Sequence, residues 1–247
     1  MKKTYLALLV LFLSMTLLLP SFAQAQPRNI KNIDTPTAFT LGRGVYSVSV
    51  MGYDGGGLEF TTAAGLFDPF YFGISLDFQN VIGKEKPHLH VPGVVAKLQL
   101  ADSIASWPVF IALGYDSFYM GGFGVRNDSR NVVDRIIFGP YFVVTQPIYL
   151  FGGEQYVSYG VRMPTQPIYA PNETSYFLAL TFPLTENFHF KCEMARVFWN
   201  FRRPDEWLYN FGFRYIFAGK LGFEIDFLCQ PGEIPSRVVR IEYRDRF

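Results

Sequence analysis

Charged residues recur at a spacing of two along the C-terminal part of the chain. Lys191 and Glu193 come first, then Arg214, then Glu224 and Asp226, then Arg240, Glu242 and Arg244. On extended strands this spacing puts each set on one face, and apolar residues occupy the other. Neighbouring strands then bring opposite signs together, a favourable cross-strand arrangement. Charges facing lipid would cost roughly 2–4 kcal/mol each at mid-membrane, so phase turns all eight toward the lumen of a barrel. Two kinds of chemistry suit such a wall. It is either an ion-pair network that fills the interior, or the lining of a wet channel that sets ion or solute preference.

Other candidate groups carry less. His88 and His90 form an H-x-H pair in the longest early loop, after Lys84-Glu85-Lys86-Pro87. No third ligand at a recognisable spacing accompanies them, so they read as solvated loop histidines and no metal site is assigned. His189 shares the lumen phase with Lys191 and Glu193. Ser175 has the lumen phase of the preceding strand, near its opposite end. Gly-x-Ser-x-Gly, metal and phosphate-loop signatures are all missing, so no catalytic residue and no cofactor is assigned. Gly55-Gly56-Gly57 has no helix after it and reads as a hairpin turn. Cys192 and Cys229 fall on the apolar phase of strands that are not neighbours, which disfavours a disulfide.

The elements that position these groups follow a period of two. Residues 70–79 are the clearest, with Phe70, Phe72, Ile74, Leu76 and Phe78 against Tyr71, Gly73, Ser75, Asp77 and Gln79. Segments 175–182, 209–217 and 221–228 alternate as regularly. Weaker ones lie at 44–53, 57–67, 93–101, 107–118, 134–146, 154–163, 187–198 and 236–247. Each approaches the nine to eleven residues that a tilted membrane strand needs. The expectation is an all-β, antiparallel up-and-down transmembrane β-barrel of about 12 strands. Gly139-Pro140 interrupts the weakest segment, and the count falls to ten without it. Short connections at Asp68-Pro69, Gly152-Gly153, Thr185-Glu186 and Gly219-Lys220 alternate with long polar ones at 80–92, 121–133, 164–174 and 200–206. That sorting matches periplasmic turns and extracellular loops.

The chain opens on Met1-Lys2-Lys3-Thr4, an apolar run from Tyr5 to Leu19, and Ala23-Gln24-Ala25. These are the parts of a bacterial signal peptide cleaved after Ala25. The expected organisation is 1–25 signal peptide, 26–42 periplasmic segment or mouth plug, and 43–247 barrel. Aromatic residues make up 18% of the chain and charged ones only 17%. Such an excess suits lipid-facing strands and interfacial girdles. A net charge of +1 argues against nucleic acid as a partner.

Several segments also resemble a known family. Asn32-Ile33-Asp34-Thr35-Pro36-Thr37-Ala38 is followed by Leu41-Gly42-Arg43-Gly44. Then come Phe72-Gly73-Ile74-Ser75, Gln79-Asn80-Val81-Ile82-Gly83 and Pro92-Gly93-Val94-Val95-Ala96-Lys97. In this order they resemble the YjbH-type family of bacterial outer-membrane barrels, some of them associated with exopolysaccharide operons. The match covers about the first half of the exported chain. It implies an outer-membrane location and points to surface polysaccharide as a partner. The terminal strand, with Val239, Ile241, Tyr243 and Phe247 in phase, resembles the signal read by the barrel-assembly machinery; Asp245 departs from that pattern.

Taken together, the residues describe an outer-membrane barrel among outer-membrane lipid and lipopolysaccharide. Two functions fit it: a passive pore or export conduit linked to surface polysaccharide, or a closed structural or adhesion barrel with an ion-pair-filled lumen. A barrel enzyme fits less well, lacking a nucleophile beside a base.

Overall fold

Strict alternation produces long antiparallel strands, and closing the sheet removes the edges that such strands would otherwise expose. The computed structural model describes residues 28–84, 86–103, 108–117, 125–126, 132–133, 135–136, 139–150, 153–163, 174–199, 206–229 and 234–247. Its wall begins with β1 (Val45–Tyr53), β2 (Gly57–Phe67), β3 (Phe70–Gln79), β4 (Gly93–Ala101), β5 (Phe110–Asp116) and β6 (Gly139–Leu150). It continues with β7 (Gly153–Arg162), β8 (Ser175–Pro183), β9 (Phe188–Trp199), β10 (Glu206–Phe217), β11 (Leu221–Cys229) and β12 (Ser236–Arg246).

Each of these strands pairs antiparallel with its neighbours in sequence. β12 then pairs β1, from Val45↔Arg246 to Tyr53↔Val238, and the cylinder is closed. Carried once around the sheet, the registers accumulate a stagger of about 14 residues, which tilts the strands by about 40°.

The twelve-strand expectation holds, and the doubtful segment is a full strand. Its bounds are 139–150 rather than 134–146, and β5 is trimmed to 110–116. Pro140 sits second in β6, exposed, and its carbonyl accepts the Met163 N–H at 2.9 Å. Pro147 lies beyond Thr145↔Phe110, the last pair with β5, so neither proline removes a ladder bond at the strand's centre. The triple glycine turns β1 into β2, with Gly55 and Gly56 at φ of 82° and 73°.

Outward positions are apolar around the wall, among them Phe72, Ile74, Leu113, Leu178, Phe211 and Ile225. On β10, Trp207 and Tyr209 mark the long-loop end and Tyr215 the short-turn end, the two levels at which interfacial aromatics sit. Val239, Ile241 and Tyr243 face outward, and Phe247 stacks on Tyr46 with centroids 4.9 Å apart. Asp245, the odd residue of that strand, receives the Lys220 ammonium at 2.8 Å and the Tyr243 hydroxyl at 2.6 Å. Cys192 and Cys229 are free thiols on β9 and β11, separated by β10.

Residues 1–27, with the expected signal peptide, lie outside the described residues, as does most of the three later long loops. The adjoining segment, expected in the periplasm or as a plug of the mouth, is not periplasmic. Residues 29–41 are inside the barrel, and Asn32, Ile33, Asp34, Thr35, Thr37, Ala38, Phe39 and Leu41 are all buried. Their polar backbone finds partners on the lumen wall, which is what makes an interior position affordable.

Candidate functional site

The interior segment is a hairpin that enters from the short-turn end. Asn32 N–H donates to the Thr35 carbonyl at 2.9 Å, and Lys31 bridges Pro36 across it. The tip, Asn32 to Thr35, reaches β9. There Glu193, inward and 5% exposed, accepts from three successive backbone N–H groups, those of Ile33 (3.1 Å), Asp34 (2.9 Å) and Thr35 (3.1 Å). The Thr35 hydroxyl (2.7 Å) and the side-chain amides of Asn32 (3.2 Å) and Asn210 (2.9 Å) complete the shell. Consecutive N–H groups in a tight turn form an anion nest, and here the anion belongs to the wall.

Cations of the wall hold the hairpin's carbonyl oxygens. Lys97 on β4, 1% exposed, donates to Ile30 (2.6 Å), Thr37 (2.8 Å) and Phe39 (3.0 Å). Lys191 donates to Asn32 (2.9 Å), Arg240 to Ile33 (3.4 Å) and Arg244 to Arg28 (2.9 Å). The returning limb gives the Ala38 N–H to the Thr145 hydroxyl at 2.8 Å. Phe39 meets the rings of Phe110 (4.9 Å) and Tyr156 (5.0 Å) edge-on. Ile33 joins Met51, Tyr53, Val197, Leu208, Leu228 and Val238 in an apolar cluster above the tip. Where the limb leaves the lumen it crosses Gly65 so closely that a Cβ there would fall 2.1 Å from the Gly42 carbonyl.

Seven of the eight charges expected in the lumen form one connected network. Glu224 is its hub, paired with Lys191, with Arg240 at 2.7 Å and with Arg214 at 3.3 Å. Arg214 also reaches Glu242 at 2.5 Å, and Glu242 accepts from Arg244 (2.9 Å) and the Ser47 hydroxyl (2.7 Å). Asp226 lies 3.5 Å from Lys191. It fits because β10 carries Gly212 opposite; a Cβ there would come 1.9 Å from the Asp226 carboxylate. Glu193 is the exception, serving the hairpin instead of the network.

Attention to the C-terminal strands leaves out the N-terminal half of the lumen. Glu59, Asp77, Lys97, Asp116 and Arg162 are buried there, all on inward positions. The same alternation marks them in the sequence, with Asp77 and Lys97 on polar phases of their strands. Arg162 stands 3.8 Å from Asp116. His88 is exposed, and His88–Leu89 pairs with the end of β3. His90 is turned inward instead, its ring 3.8 Å from Asp77. Asp77 also accepts the Tyr53 hydroxyl at 2.6 Å. Among the described residues no group of three His, Cys, Asp or Glu could hold a metal.

Ser175 and His189 do not meet. The Ser175 hydroxyl donates to the Arg196 carbonyl at the long-loop end of β8, while His189 pairs with Pro183 at its short-turn end. Beside the hairpin lies a cavity of about 80 Å³, between residues 30–36 and inward side chains of β1–β3, β10 and β12 among other strands. It is lined by Ser47, Ser49, Thr61, Arg214 and Arg240 among others, and a few waters would fill it.

No protein-family model and no curated protein matches this chain. Solved structures do. The KdgM porin aligns with a TM-score of 0.53 at 10% identity, over 81% of this chain and 98% of its own. The KdgM porin in complex with disordered oligogalacturonate gives 0.52 at 9% identity, over 82% and 99%. The likeness covers about four fifths of this chain and shows the fold, a closed antiparallel β-barrel.

Proposed function

We propose that this chain is an outer-membrane pore or export conduit, shut at rest by its own N-terminal hairpin and serving a surface polysaccharide. The observation that carries this reading is how the hairpin is seated. Twelve strands enclose more room than their side chains fill, and residues 29–41 take up that room through hydrogen bonds and ring contacts alone. Neither cysteine ties them to the wall. An element bound so to the wall has a released state in which its backbone groups are hydrated, and release opens the lumen. The polysaccharide side rests on the resemblance to the YjbH-type family. That resemblance runs through the hairpin itself, Asn32 to Ala38, and through Lys97, which grips it. The same reading places the barrel in lipid and lipopolysaccharide, delivered by the barrel-assembly machinery.

A closed structural barrel is the second reading, favoured by the seven-membered ion-pair network. A reversible lock separates the two. In a background with Cys192 and Cys229 changed to Ser, Ala38→Cys and Thr145→Cys would face each other where backbone and hydroxyl now bond at 2.8 Å. Planar-bilayer recordings should show discrete openings under reducing conditions and none once the disulfide forms. Openings that persist with the hairpin locked would remove it as the gate. Silence in both states, from protein shown by heat-modifiability to be folded, would leave the structural reading.

A further inference from the structure

We infer that the outer wall of β9–β12, at its long-loop end, binds the phosphorylated headgroup of an outer-leaflet glycolipid through Arg196 and Arg237. This rests on the outer-membrane placement proposed above and holds whether or not the lumen opens.

Charge on the outward face is rare and sorted by end. Among the described outward positions of the twelve strands, only Arg196, Arg237 and Asp245 are charged. Asp245 is at the short-turn end, and Lys220 answers it from the barrel itself at 2.8 Å. Both arginines are at the long-loop end, three residues before the end of β9 and one after the start of β12. Arg196 is outward because Ala195 and Val197 on either side are buried in the lumen, and it pairs with exposed Trp207. Arg237 shares the outward phase of Val239, Ile241 and Tyr243 and pairs with Phe227. Asp54 accepts the Arg237 backbone N–H at 3.3 Å, and the Arg237 guanidinium has no ion pair among the described residues.

A lone arginine at this depth reaches the headgroup level by its own length and needs no ligand. The surface between the two arginines is what makes a site. The pairs Arg196↔Trp207, Tyr209↔Cys229 and Phe227↔Arg237 run as one outward row across four adjacent strands. Three strand spacings put its two cationic ends about 14 Å apart across the sheet. Trp207 and Tyr209 stand exposed between them, and Tyr176 on β8 flanks Arg196 one step past the Phe177↔Ala195 pair. On β1–β8 the outward residues at the same end, from Gly52 and Leu58 to Tyr115 and Tyr176, carry no charge. A neutral lipid satisfies that arc. On β9–β12 the guanidinium forks match phosphate oxygens, and the rings between them suit the faces of the sugars that carry the phosphates. Basic positions beside a membrane wall select anionic headgroups in this way.

The probe is the glucosamine lipid that anchors lipopolysaccharide, used with its two phosphates and after their removal. Each form is titrated into the full exported chain in neutral detergent, and native mass spectrometry counts barrels that carry one lipid. The phosphorylated form should bind at least about tenfold more tightly. The double variant Arg196→Gln, Arg237→Gln should erase that preference, and each single variant should cut it about threefold. Lys220→Gln, at the other end, should leave it unchanged. Equal binding of the two forms would overturn the inference, as would a preference that survives the double variant or falls with Lys220→Gln. Dimers without bound lipid would assign the patch to a second copy of the chain and overturn it as well. If the double variant does not fold, the single variants and the comparison of lipids decide. Binding in detergent does not depend on where the cell puts the barrel. Phosphate preference in a protein absent from outer-membrane fractions would therefore sink the placement and spare the site, and outer-membrane residence without phosphate preference would do the reverse.

Discussion

Glu193→Ala should raise the open probability of the barrel in planar bilayers at least about tenfold, with the wall still folded. The reasoning starts from the donors. With the hairpin seated, the N–H groups of Ile33, Asp34 and Thr35 are buried and bond to Glu193. Remove that carboxylate and the seated state keeps three buried donors without their acceptor, at about 1–3 kcal/mol each. The released state exposes the same donors to water and loses nothing. One such penalty already shifts the equilibrium by about a factor of ten. Glu193→Gln should fall between the two, since its carbonyl oxygen still accepts but its amide hydrogens face other donors. The wall tolerates both changes, because Glu193 is outside the ion-pair network and its strand is held by backbone pairs to β8 and β10. An unchanged open probability in a heat-modifiable Glu193→Ala barrel would mean that the nest does not latch the hairpin.

The wall was legible in the sequence because a period of two is a local property. Each stretch such as Phe70–Gln79 declares its two faces without reference to any other strand. The polar phase puts Lys191, Arg214, Glu224, Asp226, Arg240, Glu242 and Arg244 on one face of their strands, and these are the seven charges that the structure joins in one network. What each charge meets inside is not local. Glu193 has the same phase and spacing as Lys191, yet one holds a turn lying 158 to 161 residues away and the other anchors the network. That difference depends on register and shear, which alternation does not encode. The hairpin was harder still. Asn32 to Ala38 has turn formers and no period, so composition alone suits a periplasmic tail as well as a plug. The resemblance motif marked these residues and Lys97 as separate features, and the fold brings them into contact. His90 was misread for a related reason, since only the pairing of His88–Leu89 with β3 turns it toward Asp77.

Lys191→Met and Asp226→Asn should move stability in different directions, although both remove a charge from the same network. Lys191 is fully buried and faces Glu224, Asp226 and the Asn32 carbonyl. Taking it away leaves two inward carboxylates, two residues apart on β11, with one cation fewer between them. Breaking a buried pair in this way costs about 3–5 kcal/mol. The hairpin also loses a contact. Arg214 and Arg240 still serve Glu224, which keeps the expected loss toward the lower end of that range. Asp226 is differently placed. Its carboxylate oxygens accept no hydrogen bond among the described residues, and its nearest cation is 3.5 Å away and shared with Glu224. Asp226→Asn relieves like-charge repulsion and fits the same space against Gly212, so it should be neutral or stabilising by about 1 kcal/mol. Urea unfolding of the refolded barrel in lipid vesicles, followed by tryptophan fluorescence, reads both. If the two variants lose stability equally, Asp226 is a working partner of Lys191 and the network is balanced by three carboxylates, Glu224, Asp226 and Glu242. If Asp226→Asn gains while Lys191→Met loses, Glu224 is the hub and Asp226 is a charge the lumen carries for some purpose other than stability.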